Sequence, residues 1–217
     1  MRVIGCCNAY QEAELLEACL TALRPLVDLL VVVDGAYRDF PWYGNSPEST
    51  DGSLALAQKL ADVVVRCPLN YNGTHRVPWT DEIKKRSQYL IGWEGDYYLV
   101  VDADEMVEGT FDRAHVCLKQ DWGVMLYREE QPSTRYPIHR LFMHRDGIHY
   151  RGTHHAVHVG DTLLHPDKVV KIQENVFPGL TLRHTQCRRS LERSERKGTY
   201  YRELEQTEKA FRQQAGL

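Results

Sequence analysis

A chain of 217 residues with 27 Lys and Arg against 30 Asp and Glu, a net charge of −3 and 42% hydrophobic residues has the composition of one ordinary globular domain. That balance offers no broad basic surface for nucleic acid or an anionic membrane, and no apolar run approaches the roughly 20 residues that span a bilayer. The six cysteines, Cys6, Cys7, Cys19, Cys67, Cys117 and Cys187, contain no Cys-x-x-Cys pair. Reduced, buried thiols in a cytoplasmic protein are expected, rather than a disulfide framework or a zinc-thiolate site.

Residues 2–7 read as a first strand, without the long apolar region and cleavage site of a signal peptide. Ala13 to Leu23 carries apolar residues at helical spacing, and Pro25 closes that helix. Leu29 to Val33 is a second buried strand ending in Asp34-Gly35. After a polar loop, Ser49-Thr50-Asp51 caps a helix from about Gly52 to Leu60, and Ala61 to Arg66 forms a third strand. Thr80-Asp81 caps a further helix that runs to about Trp93 and carries Lys84, Lys85 and Arg86.

The next strand begins at Gly95-Asp96-Tyr97 and ends in Asp102-Ala103-Asp104-Glu105. In extended backbone Asp102 and Asp104 fall on one side. Two carboxylates at a strand end can hold Mg²⁺ or Mn²⁺, and through it a diphosphate; an acidic helix cap has the same look. Four alternations of strand and helix predict an α/β fold: a central mixed, mostly parallel, Rossmann-like sheet flanked by helices. Its carboxyl edge is the expected ligand side.

Downstream, Trp122–Tyr127, Ile138–Met143, Val169–Ile172 and Leu180–His184 read as shorter strands, and the chain is expected to be helical from Arg188. No linker is evident. One domain, 1–217, is expected, with a nucleotide-binding half (1–105) and an acceptor half with the C-terminal helix (106–217). Between Arg183 and Arg202 seven basic residues face two acidic ones, which suits a phosphate-facing segment or a patch for an anionic acceptor; a solvated helix face is the plain alternative.

Six segments in order resemble the nucleotide-sugar glycosyltransferases of GT-A fold, specifically family 2. They are Tyr10-Gln11-Glu12, Val32-Val33-Asp34-Gly35, Ser49-Thr50-Asp51-Gly52-Ser53, the basic helix from Lys84 to Leu90, Asp102-Ala103-Asp104-Glu105, and the group Arg140-Leu141-Phe142, Tyr150 to His155 and Leu182-Arg183-His184. The resemblance implies an inverting transferase that moves a sugar from a nucleotide-diphosphate donor, a UDP-sugar first, to an acceptor hydroxyl on a glycan, lipid-linked sugar, protein or modified nucleic acid. Asp34 then contacts the nucleoside, Lys84 and Arg86 the diphosphate, and Glu12 the first loop or the nucleoside. Asp102 binds metal or ribose, Asp104 ligates the metal, and His184 is a third ligand better suited to Mn²⁺ than to Mg²⁺.

His155 is the expected acceptor base, since imidazole titrates near neutral pH. Glu129 and Glu130 are alternatives. The His154-x-x-x-His158 spacing would suit zinc on a helix, but its surroundings read as strand. Three departures stand out: Gln11 replaces the family's usual Asn, and both its Glu-Asp base pair and the Gln-x-x-Arg-Trp motif of processive synthases are missing. A sugar-phosphate nucleotidyltransferase and a non-catalytic sugar-nucleotide or glycan-binding module are the competing functions. The first lacks its Gly-rich basic loop after residues 2–7, and the second does not need both Asp102 and Asp104.

Overall fold

The computed structural model describes residues 1–37, 46–116, 121–151, 153–160, 162–163, 176–191, 194–195 and 202; for 153–156 and 162–163 it describes the backbone alone. Four strands run parallel: β1 (Val3–Ala9), β2 (Leu29–Asp34), β3 (Val63–Val65) and β4 (Tyr97–Asp102), side by side as β3-β2-β1-β4. Their unbroken apolar runs follow from burial on both faces. Cys7, Leu30, Val32, Leu99 and Val101 enter one core, and their alternating neighbours Cys6, Val31, Val33, Tyr98 and Val100 enter the other.

The first core lies under α1 (Ala13–Leu23), which buries Leu16, Cys19, Leu20 and Leu23, and under α2 (Ser53–Leu60), which adds Ala57. The second is closed differently from expectation. The helix predicted to reach Trp93 is the short α3 (Glu82–Ser87), followed by a 3₁₀ turn that sinks Tyr89 and Leu90 into the core. Beside them pack Ile148, Tyr150 and Val157, from an antiparallel sheet of β8 (Ile148–Arg151), β9 (Thr153–Val159) and β10 (Thr162–Leu163). α1 and α2 flank one face; the short α3, a 3₁₀ turn and a second sheet cover the other.

The main sheet continues through β5 (Glu105–Gly109), β6 (Trp122–Arg128), β7 (Gln131–Met143) and β11 (Val176–His184) in the order β3-β2-β1-β4-β7-β6-β11-β5. β7 runs antiparallel to β4 and β6, β6 parallel to β11, and β11 antiparallel to β5. Only the Ala103-Asp104 turn separates β4 from β5, yet β5 is the far edge of the order. The sheet therefore curls until its last strand returns to β4. This curl sets His184 opposite Glu105 in the β11–β5 register, next to the acidic turn.

β5 has no counterpart among the expected strands, and β7 and β11 are longer than the patterns suggested. The strand expected at 169–172 lies outside the described residues. So does most of the expected C-terminal helix, of which Leu191, Ser194, Glu195 and Arg202 are described as helical; it does not begin at Arg188, which ends a 3₁₀ turn (Gln186–Arg188) followed by extended backbone at Arg189. Cys6, Cys7, Cys19 and Cys67 are reduced and buried, as expected, but Cys187 is exposed, so that thiol departs from the buried expectation. α4 (Arg113–Val116) and 3₁₀ turns at Arg24–Leu26 and Gln186–Arg188 complete the described elements.

Candidate active site

The carboxyl ends of β1, β2 and β4 form one edge, with Asn8 opposite Asp102 and Ala9 opposite Asp34. Just beyond β1 the chain turns through Gln11 in a left-handed conformation (φ 53°), unusual for a non-glycine residue. Segment 49–51 holds it there. Ser49 Oγ accepts the Gln11 N–H (2.9 Å), and Gln11 Oε1 accepts from the backbone of Thr50 and Asp51 (3.3 and 3.1 Å).

Asp34 serves the same segment. Its Oδ1 accepts from Ser49 Oγ (2.5 Å) and its Oδ2 from Ser49 N–H (3.0 Å), and the residue is 0% exposed. Burial raises its pKa against the pull of Ser49 and Lys85. The carboxylate expected to meet a nucleoside is thus turned to Ser49. Gly35 lets the chain leave β2 here: its φ is +118°, and a Cβ would lie 2.1 Å from Cys67 Sγ.

Asp102 lies in a buried charge network. Arg86 Nη1 donates to its Oδ1 (2.6 Å) and Arg140 Nη2 to its Oδ2 (2.9 Å). Arg140 also donates to Glu105 Oε1 (2.7 Å), Arg86 Nε to Glu82 (2.9 Å), and Glu105 Oε2 accepts the Asp102 N–H (2.9 Å). Burial opposes ionisation of Asp102, but the two guanidinium groups outweigh it and hold the carboxyl well below its usual range. Burial lifts Glu105 instead, to about 7.

Asp104 faces elsewhere. The period-two alternation expected to align it with Asp102 is broken, because Ala103 and Asp104 form a turn. Its Oδ2 lies 3.2 Å from His184 Nε2 and accepts from Arg189 Nη2 (2.7 Å). Arg189 also donates to Glu12 (2.8 Å), while Thr185 donates its N–H and hydroxyl to the Asp104 carbonyl (2.7 and 3.0 Å).

The expected metal fits part of this set. Two ligand atoms about 3 Å apart match adjacent positions around an octahedral ion with bonds of about 2.1 Å, and a carboxylate with an imidazole suits Mn²⁺. Asp104 and His184 meet that description. Asp102 has arginines on both oxygens, and Asp104 shares its Oδ2 with Arg189. Among the described residues no three His, Cys, Asp or Glu side chains converge as a ligand group.

The remaining expectations divide. Lys84 is exposed on α3; its backbone N–H donates to the capping Asp81 (2.6 Å). Lys85 is 1% exposed and donates Nζ to the Ala9 carbonyl (2.8 Å). Burial lowers its pKa to about 8 although Asp34 favours the charged form. Arg86 lies at the site with its donors on carboxylates. His155 sits on β9, but its side chain lies outside the described residues. Glu129 pairs with Arg183 and Arg188, and the Arg188 hydrogen bond leads in drawing it down to about 2, which makes it a poor base.

Three site residues had no assigned role in the sequence reading: Arg140, Glu105 and Arg189. Arg140 carried a usable signal, being a lone cation in the apolar run Ile138–Met143, where a buried charge requires a carboxylate partner. Arg189 carried none, as one of several arginines in a dense basic stretch.

No family model matches the chain. A curated protein of Synechococcus elongatus, described as a TPR repeat-containing protein, is 28% identical over 166 residues, which is 73% of this chain and 36% of that protein. The chain thus spans about a third of that relative's length. Among solved structures, Staphylococcus aureus TarS (1–349) in complex with UDP aligns with a TM-score of 0.40 at 18% identity, covering 59% of this chain and 36% of that one. Glucosyl-3-phosphoglycerate synthase from Mycobacterium tuberculosis, in complex with Mn²⁺, UDP and glucosyl-3-phosphoglycerate, aligns at 0.38 and 17% identity, covering 60% and 45%. Likeness at this level fixes neither family nor substrate. No helix among the described residues is long and apolar enough to cross a membrane.

Proposed function

We propose that this chain is a GT-A-type glycosyltransferase that takes a sugar from a nucleoside diphosphate, a UDP-sugar first, and passes it to an acceptor hydroxyl. One observation carries the reading. Asp104, in the turn after β4, and His184, at the end of β11, meet at 3.2 Å on the carboxyl edge of the parallel strands, among Arg86, Arg140 and Arg189. Carboxylate, imidazole and several guanidinium groups together are the equipment a charged diphosphate leaving group requires.

Asp104 and His184 would hold Mn²⁺ or Mg²⁺, which when bound supplies charge stabilisation to the departing phosphate oxygens. Arg86 and Arg140 keep Asp102 ionised and fixed, so that its remaining lone pairs can accept from a ribose hydroxyl. Asp34 acts through Ser49, fixing segment 46–50 as a wall for the nucleoside. His155 is our choice for the base that takes the acceptor proton, and attack from the side opposite the leaving group would invert the anomeric carbon. Residues 1–217 would act as one catalytic unit.

The test is a thermal-shift and hydrolysis screen of UDP-, GDP- and other nucleotide sugars, with and without Mn²⁺. One or more donors should raise the melting temperature in a metal-dependent way, and Asp104→Asn should abolish the metal dependence. The reading fails if no nucleotide stabilises the protein with metal, or if Asp104→Asn behaves as wild type.

A further inference from the structure

Arg189 is a cation built into the place proposed for the metal. Its Nη2 donates to Asp104 Oδ2 (2.7 Å) and Glu12 Oε1 (2.8 Å), its Nε reaches Glu12 Oε2 (3.3 Å), and its side chain is 3% exposed. The segment that carries it is tied down along its length. Thr185 is bonded twice to the Asp104 carbonyl, Arg188 pairs with Glu129, and Ser190 N–H donates to Glu14 (3.0 Å).

We infer that residues 185–190 form a counter-ion switch, in which Arg189 neutralises Asp104 and Glu12 in the resting chain and must leave Asp104 before a divalent cation can bind there, carrying its charge to the donor diphosphate. The inference rests on the glycosyltransferase reading and deepens it. The oxygen that accepts from Arg189 is the same Oδ2 that faces His184. A divalent ion and a guanidinium on one buried carboxylate oxygen would be like charges in a poorly screened pocket.

Arg189 cannot simply be left unpaired either, since a buried guanidinium without anionic partners is costly. Glu12 keeps one side of its fork occupied. A diphosphate oxygen supplies the other, in the geometry that guanidinium groups recognise best. Metal and nucleotide are then coupled. The nucleotide draws Arg189 away from Asp104 and frees it for the metal, and each ligand tightens the other by the same factor.

The test is Mn²⁺ binding to the whole chain, read from the paramagnetic resonance of unbound Mn²⁺, with and without UDP and corrected for Mn²⁺ held by UDP itself. It compares wild type, Arg189→Met and Arg189→Lys. Wild type should bind Mn²⁺ weakly alone and about tenfold or more tighter with UDP. Arg189→Met should bind Mn²⁺ alone about tenfold tighter than wild type and gain little from UDP. Arg189→Lys keeps the charge but loses the fork, so it should fall between them, and it decides the matter if melting curves show the Met variant unfolded. Substituted chains that bind Mn²⁺ no tighter than wild type overturn the switch and leave the metal reading standing. If no form binds Mn²⁺, with UDP or without, both are overturned.

Discussion

Lys85 is enclosed at the end of β1 with its Nζ on the Ala9 carbonyl. Burial favours the neutral amine and pulls its pKa from 10.5 to about 8; Asp34, Cys67 and Glu82 favour the charged form, and Arg86 opposes it. Between these values the folded chain binds fewer protons than the unfolded chain. Stability therefore rises with pH across that interval, by up to about 1.4 kcal/mol per unit, and the cost of the buried charge is felt in full below pH 8. Lys85→Met removes this component. Urea-unfolding free energies of wild type minus variant should climb from pH 8 to 10, and a flat difference would show that the amine is not buried as described. Taking the difference cancels the cysteines and tyrosines that titrate in the same range, apart from Cys67, whose titration Lys85 itself influences. A strand-end aspartate can be found by pattern, which is why Asp102 and Asp104 were legible in the sequence. His184 was legible as a companion of Asp104; the arginines that pair with the two aspartates were not, because whether Arg86 points inward depends on where α3 stops, which periodicity leaves uncertain by a few residues, and Arg140 and Arg189 arrive from far along the chain.

At the scale of elements, α1 and α2 share one cap. Asp51 Oδ2 accepts the Ala13 N–H (3.0 Å) at the start of α1, and its Oδ1 accepts the N–H and hydroxyl of Ser53 (3.0 and 2.6 Å) at the start of α2. Glu12 directly precedes α1 yet makes no side-chain cap bond, while Asp51 accepts the Ala13 N–H and Ser53 Oγ the Glu12 N–H (2.7 Å). The Glu12 carboxylate goes to Arg189 instead. Asp51→Ala orphans both helix starts and should cost about 1–2 kcal/mol in urea unfolding, whereas Asp51→Asn keeps one acceptor and should cost less than half of that. Equal costs for the two would mean that the carboxylate caps only one helix. Both helices were readable from apolar spacing, but the second duty of Asp51 was not, since it depends on Gln11 bringing the two helix starts together. β5 escaped notice for a related reason. Glu105 and Glu108 make it look like the tail of an acidic turn, and its strand character comes from pairing with β11, far along the chain.

For the whole molecule the decisive feature is the curl that returns β5 to β4. A division at 105/106 into donor and acceptor halves describes the order of the chain but not the wiring of the sheet. β4 from the first half pairs with β7 from the second, and β5 starts at the division and pairs with β11. The site is shared in the same way: Asp102 and Asp104 come from the first half, Arg140, His184 and Arg189 from the second. Cutting between the halves would expose β4 as a long apolar edge and leave Asp102 without Arg140. Folding should therefore be all-or-none. Urea unfolding followed by far-ultraviolet circular dichroism, which reports the strands and helices together, should coincide with tryptophan fluorescence, which reports the buried Trp79 in the first half and Trp122 in the second. Separate transitions would mean that the halves are independent domains meeting at a cleft. The charge exchange at Asp104 would then have to be a motion between domains, where a continuous sheet confines it to the strap that follows β11.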